Sequence, residues 1–170
     1  MNNIRLLFGK PVIQDINQFL AALRELQARS GCIVQALDAD KVVSEEHVRF
    51  ATKKALLAFS EGRNVAKDLG MEILRYASGE RQIERALSMG ISEATERIAL
   101  VIVHRPNYEC RWPENSELAA LIDVDGLGCS FKPDAVKKAF SISDEELKVV
   151  DETRLSELVL ERVALVEIYR

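Results

Sequence analysis

Ile98-Ala99-Leu100-Val101-Ile102-Val103 is an unbroken apolar run rich in β-branched residues. A strand with one face in water alternates apolar and polar side chains. A short continuous run instead fits a strand covered on both faces, and so the centre of a sheet. Two other segments read as strands beside it. Ile4-Arg5-Leu6-Leu7-Phe8 has strand character and is expected to stop at Gly9-Lys10-Pro11, since a proline after a glycine rarely continues regular structure. Cys32-Ile33-Val34-Gln35-Ala36-Leu37 is short, β-branched and bounded by turn formers.

The intervening segments carry helical periodicity. Ile16, Phe19, Leu20, Leu23 and Leu26 recur at three- and four-residue steps, giving a helix that ends near Ser30-Gly31. Ser44 is placed to cap a second helix, with Glu45 and Glu46 complementing its positive end, Val48, Ala51, Ala55, Ala58 and Phe59 as its buried stripe, and Gly62 just past its end. Asn64 is read as the cap of a third helix running through Ala66, Leu69, Gly70, Ile73 and Ala77 to Ser78-Gly79. A glycine inside a helix costs about 1 kcal/mol against alanine, so Gly70 suggests a neighbouring helix or a ligand close to the backbone there.

A short helix from Glu80 to Met89 then makes a tight elbow at 77–81. Beyond the apolar run come Pro106, Trp112-Pro113, and helices around Ser116 to Ile122 and Pro133 to Phe140. Ser143-Asp144-Glu145-Glu146 has capping-box spacing and opens another. Thr153 to Tyr169 is apolar over more than one face, and periodicity leaves Val163 to Tyr169 open between helix and strand. The expected fold is α/β (α+β): one domain over 1–170, with a small mixed sheet of about three strands packed against many helices.

Composition narrows the function. With 170 residues, 48% hydrophobic and 29% charged, the chain suits one soluble globular domain. No window approaches the ~20 apolar residues that span a bilayer, and the opening Met1-Asn2-Asn3-Ile4-Arg5 lacks signal-peptide character, so a cytoplasmic protein without membrane contact is expected. The formal net charge of −4 argues against a broad footprint on duplex nucleic acid; any nucleic acid must be bound locally. Cys32, Cys110 and Cys129 are widely spaced, without CxxC or Cys/His ligand spacing, and read as reduced thiols.

His47 and His104 are the only histidines, with no ligand or triad partners at useful spacing, so neither catalysis nor a metal is expected. Asp123-Val124-Asp125-Gly126-Leu127-Gly128 lacks the third carboxylate before the glycine and the closing glutamate of a calcium loop, and reads as a turn. No phosphate-cradling glycine loop and no cofactor motif is present in the chain.

One segment is more specific. Gln35-Ala36-Leu37-Asp38-Ala39-Asp40, then His47, Phe50-Ala51, Lys54-Ala55, Ala58-Phe59 and Gly62-Arg63-Asn64, lead to a dense run from Leu69 to Ile83, LGMEILRYASGERQI. In this order they resemble the small subunit of the KEOPS complex, the PRPK-binding protein family. Outside Gln35 to Leu100 the likeness lies mainly in length and apolar blocks, and Arg105 to Pro113 departs from it.

The resemblance implies a non-catalytic α/β protein that docks on the kinase subunit of KEOPS, and through it on the rest of the complex. That complex installs threonylcarbamoyl on adenosine in tRNA; the small subunit also contacts the single-stranded 3′ CCA end of tRNA. No small-molecule substrate is implied. An unpaired end is read by stacking and by hydrogen bonds to base edges and hydroxyls, which a small pocket can supply.

Lys67, Met71, Arg75 and Ser78 fall on one helical face, with Arg75 the first candidate for a phosphate contact, and the helix start at Glu80 offers backbone N–H groups that Gly79 leaves open. With Asn64, Gly70, Arg81 and Gln82 these make the expected tRNA-binding set. The plainer reading has Arg75 and Arg81 as solvated surface arginines, Tyr76 as core and Asn64 as a helix cap. Leu158, Val166 and Ile168 are the candidates for the kinase interface, unless the last segment is simply buried. The rival function is a kinase-binding adaptor that never touches RNA.

Overall fold

A computed structural model describes residues 3–105, 107–150 and 154–168. Met1, Asn2, Pro106, Thr153 and Tyr169, which entered the reading above, lie outside the described residues. The chain groups into two compact units. The first comprises Met1–Ala39 and Ile91–Gly128, the second Asp40–Gly90 and Cys129–Arg170.

The first unit holds the sheet: β1 (Ile4–Pro11), β2 (Ile33–Asp38), β3 (Ile98–Val103) and β4 (Ile122–Val124), in spatial order β2-β3-β1-β4. All pairings are antiparallel, with Leu100 opposite Leu7 on one side and Ala36 on the other. The sheet is therefore four-stranded and antiparallel, not a mixed sheet of about three strands. Because β1 and β2 both pair with β3, they run parallel to one another with β3 between them, joined by the helix α1 (Ile16–Ser30). Every residue of β3 is buried, as a strand covered on both faces requires.

Ile98, Leu100 and Ile102 share one face by the two-residue period and form a core with Val34, Ala36, Phe19, Leu23 and Leu26. Burying one such side chain contributes about 1.5–3 kcal/mol. Asp15 caps α1 by accepting the Gln18 N–H at 2.9 Å, and left-handed Gly31 (φ 78°) ends it.

β1 does not stop at Gly9. It runs on to Pro11: Gly9 pairs with both Ile98 of β3 and Val124 of β4, and Lys10 and Pro11 continue against Asp123 and Ile122 of β4. A Cβ at Gly9 would sit 2.1 Å from the Asp123 carbonyl oxygen, so the glycine permits the approach. The helix expected to reach Ile122 ends at Ala119 (α5, Asn115–Ala119), and Ile122 opens β4 instead.

The second unit is helical: α2 (Glu45–Ser60), α3 (Leu69–Ser78), α4 (Ile83–Ala86), α6 (Pro133–Ala139), α7 (Asp144–Val150) and α8 (Leu155–Leu165). α3 is its centre. Every residue of α3 but Met71 is buried, and it packs against α2, whose Ala51, Ala55 and Ala58 are buried, and against α8. Ser44 caps α2, accepting from the His47 N–H at 3.0 Å. Ser143 accepts the Glu146 N–H at 3.0 Å, but the Glu146 carboxylate turns to Arg162 of α8, at 3.1 and 3.2 Å, rather than back to the cap. The open question at the C-terminal end resolves to helix as far as Leu165, followed by a turn through Ile168.

Candidate functional site

The site begins with how α3 is launched. Asp68, not Asn64, is its cap: the Asp68 carboxylate accepts the Met71 N–H at 2.9 Å, while Asn64 donates to the Ala66 carbonyl at 2.9 Å. The stretch 63–68 is thus a connection, and Gly70 lies in the first turn of α3, where the interior-glycine penalty is not in force.

Glu72 fixes that connection from within α3. Fully buried, it accepts the Val65 N–H at 2.9 Å, the Ala66 N–H at 3.4 Å and the Arg75 Nε–H at 2.5 Å. A buried carboxylate is tolerable only with such partners, because its lost hydration has to be replaced. Arg75, 4% exposed, lies with its guanidinium 4.9 Å from the Tyr76 ring centre. At the far end, Ser78 donates to the Arg75 carbonyl at 2.8 Å and accepts the Glu80 N–H at 3.1 Å, holding the elbow after Gly79.

Beside this elbow lies a cleft of about 500 Å³. Arg63, Arg75, Arg81 and Arg85 line it with Val65, Tyr76, Glu80, Gln82, Val166 and Glu167, so four guanidinium groups face two carboxylates. One carboxylate is already engaged. Glu167 accepts from Tyr76 Oη at 3.1 Å and Lys54 Nζ at 3.2 Å, and lies 3.5 Å from Arg63 Nη1. Burial pushes the Glu167 carboxyl up, but the bonds from Lys54 and Tyr76 and the charges of Lys54 and Arg63 outweigh it and hold it below the usual range.

The Tyr76 phenol is pushed up by burial and by donating to Glu167. Arg63 also pairs with Glu61, whereas Arg85, 70% exposed in its side chain, lies at a long 3.9 Å from Glu80. Guanidinium groups are planar, present several donors and stack on rings, so the cleft is chemically suited to phosphate, sugar hydroxyl or an unstacked base. Tyr76 itself is 1% exposed and offers no ring face to a ligand.

The model of the CGI-121 kinase-binding protein family matches residues 13–167 and so spans the whole cleft. The chain belongs to the CGI-121 family of kinase-binding proteins. No curated protein matches it at a significant level.

Of the residues expected to meet tRNA in this CGI-121 chain, the cleft gathers Arg75, Arg81 and Gln82. Asn64, Lys67, Gly70, Met71, Ser78 and Gly79 are not among its lining. Lys67 precedes α3 and is exposed; Gly70 and Ser78 are buried. The expected face Lys67-Met71-Arg75-Ser78 is therefore not a solvent face, because α3 is buried nearly all round. Nor does a helix start at Glu80. α4 opens at Ile83 after Gln82 and is a single turn, so the backbone N–H groups expected at Glu80 form no helix end.

Among the kinase-interface candidates, Leu158 and Val166 are 7% and 3% exposed within the chain, while Ile168 is 69% exposed. Arg63, Val65, Tyr76, Arg85 and Glu167 line the cleft without having been expected there, whereas Glu80 was expected through its backbone N–H and Val166 as a kinase contact. Arg63 directly follows the glycine past α2, and Arg85 stands a helical step from Arg81; these spacings were the available signals. Glu167, far along the chain, had none.

His47 is fully buried. Its Nδ1 accepts the Val43 N–H at 3.3 Å and its Nε2–H donates to the Ala77 carbonyl at 2.7 Å, with the Phe140 ring edge-on at 5.7 Å. Both ring nitrogens are committed to a neutral tautomer, and burial drives its pKa down to about 4 despite the bond to Ala77. The stretch expected to be a turn instead opens within β4, which holds Asp123 and Val124; Asp125 after it is held by Arg97, at 2.7 and 2.9 Å, and accepts the Leu127 N–H at 3.1 Å. Among the described residues no cluster of three or more His, Cys, Asp or Glu is arranged to hold a metal ion, and no helix is long and apolar enough to cross a membrane.

Proposed function

We propose that this CGI-121 protein is the non-catalytic small subunit of KEOPS in the cytoplasm: it docks on the complex's kinase and holds the single-stranded 3′ CCA end of tRNA in the cleft beside α3. The catalytic subunits then receive a captured tRNA for threonylcarbamoylation of adenosine, and this chain needs no cofactor, metal or small-molecule substrate. The observation that carries the reading is the gathering of four arginines into one cleft, built on the segment of densest family resemblance, in a chain whose net charge is −4.

Arg75 is tied to buried Glu72, and Arg63, Arg81 and Arg85, exchanging their present partners, are the arginines proposed to meet phosphates. Three such contacts to a single strand give a slope of about −2 in log affinity against log salt. The experiment is tRNA binding by fluorescence anisotropy across a salt series, for wild type and Arg81→Glu/Arg85→Glu. Wild type should show the shallow slope, and the variant should lose most of its binding while still co-purifying with the kinase subunit. Binding unchanged in the variant rejects the cleft as the RNA site.

The adaptor reading, with no RNA contact, is favoured by one specific observation: Glu167 already answers Arg63 inside the cleft. It predicts kinase binding intact and no measurable tRNA affinity at any salt.

A further inference from the structure

Cys32 and Cys110 stand in different chain segments of the first unit, on either side of Asp40–Gly90, which belongs to the second. The fold brings them together. Gly31 makes this possible: a Cβ there would lie 2.2 Å from the Glu109 carbonyl oxygen and 3.0 Å from Cys110 Cβ, so only a glycine lets residues 109–110 run against the start of β2. The Arg111 N–H donates to the Ser30 carbonyl at 2.8 Å, and the Arg111 guanidinium binds Glu117 at 2.7 and 3.2 Å, which pins the loop. The Cys32 thiol donates to the Arg111 carbonyl at 3.2 Å, and the Cys110 thiol reaches the Tyr108 carbonyl at 3.5 Å. The Cys32 thiol thus meets the carbonyl of the residue that follows Cys110, and Cys110 lies against the residue that precedes Cys32. Cys32 is buried, whereas Cys110 is partly exposed.

From this placement we infer that Cys32 and Cys110 are an oxidisable dithiol, which a low-molecular-weight disulfide such as oxidised glutathione converts to an intramolecular disulfide. In the first step the Cys110 thiolate, its proton lost to water, attacks one sulfur of the reagent. A Cys110 mixed disulfide forms and one reagent thiolate leaves. Cys32 then loses its proton and attacks Cys110 Sγ. The protein disulfide forms and the second thiolate leaves, so two protein thiols are oxidised by two electrons while one reagent disulfide is reduced to two thiols.

Burial and the neighbouring Cys110 push the Cys32 thiol up, so the second step accelerates as pH rises. The product staples the residue just before β2 to Cys110, within the stretch Arg105 to Pro113 that departs from the family resemblance. Cys129 belongs to the second unit, donates to the Val42 carbonyl at 3.0 Å and takes no part.

The test incubates the full-length protein with excess oxidised glutathione, then counts thiols under denaturing conditions and maps peptides. One free thiol, at Cys129, and a Cys32–Cys110 linked peptide are expected. A thermal midpoint that rises on oxidation and returns with dithiothreitol should accompany them, as should a change in emission from Trp112, the single tryptophan, two residues from Cys110. Cys110→Ser, at the partly exposed position, should abolish the change, and Cys129→Ser should leave it intact. Three free thiols after oxidation, a stable glutathione adduct at Cys110, or only disulfide-linked dimers would each overturn the inference; the wild-type peptide map decides even if a variant fails to fold.

Discussion

Glu72 and Arg75 are the residues whose surroundings most alter their meaning. Three apart on α3, they look in sequence like an ordinary surface pair, yet their side chains are 0% and 5% exposed. Removing one partner leaves the other charge buried, at a cost of about 3–5 kcal/mol. Glu72→Ala should therefore lower unfolding stability by that order in a denaturant titration, far more than Glu80→Ala at the elbow. Arg75→Glu would set two carboxylates together and cannot test ligand binding, so Arg81 and Arg85 carry that test.

His47 gives a second residue-scale prediction. Its folded pKa of about 4 lies below the ordinary 6.5, so between these values the unfolded chain binds a proton that the folded one refuses. Stability is then retained above pH 6.5 and lost as pH falls towards 4, by at most about 3 kcal/mol from this group. Denaturation midpoints measured from pH 8 to pH 4.5 should fall, and His47→Gln should flatten that dependence. Sequence alone marked His47 as lacking catalytic partners, but not as a buried ring spanning Val43 and Ala77, because Ala77 is brought to it only by the packing of α3 on α2.

Among the elements, those set by local signals were legible. The apolar run became the fully buried β3, Ser44 caps α2, Ser143 accepts the Glu146 N–H as one half of the expected capping box, and Gly31 and Gly79 end helices in the left-handed conformation. Elements defined by distant partners were not. β4 has three residues, too few for a period, and exists through its pairing with Gly9, Lys10 and Pro11. Asn64 and Asp68 are both plausible caps; what selects Asp68 is the hold of Glu72 on Val65 and Ala66, which keeps 63–68 out of the helix.

Asp68→Ala should cost about 1 kcal/mol in thermal unfolding, and Asn64→Ala clearly less. Gly9→Ala should cost about 1–3 kcal/mol, since its methyl would strike the Asp123 backbone rather than a side chain that can turn away. The cleft was half legible for the same reason. Arg75, Arg81 and Gln82 sit within one continuous run, whereas Glu167 arrives from the turn after α8.

On the scale of the whole molecule, an acidic chain gathers its arginines where the family resemblance is densest, while Glu167 is the charge that restrains them. If the cleft takes an anion, Glu167→Gln should strengthen binding of tRNA several-fold at low salt and less so at high salt, because a competing carboxylate is gone. The claim that the site reads an unpaired end rather than a duplex is tested most directly by comparing intact tRNA with tRNA trimmed of its terminal single-stranded nucleotides, on the wild-type protein at one fixed salt concentration. The account predicts binding to intact tRNA and its loss, tenfold or more (about 1.4 kcal/mol), on trimming. Equal affinity for the two RNAs would contradict it.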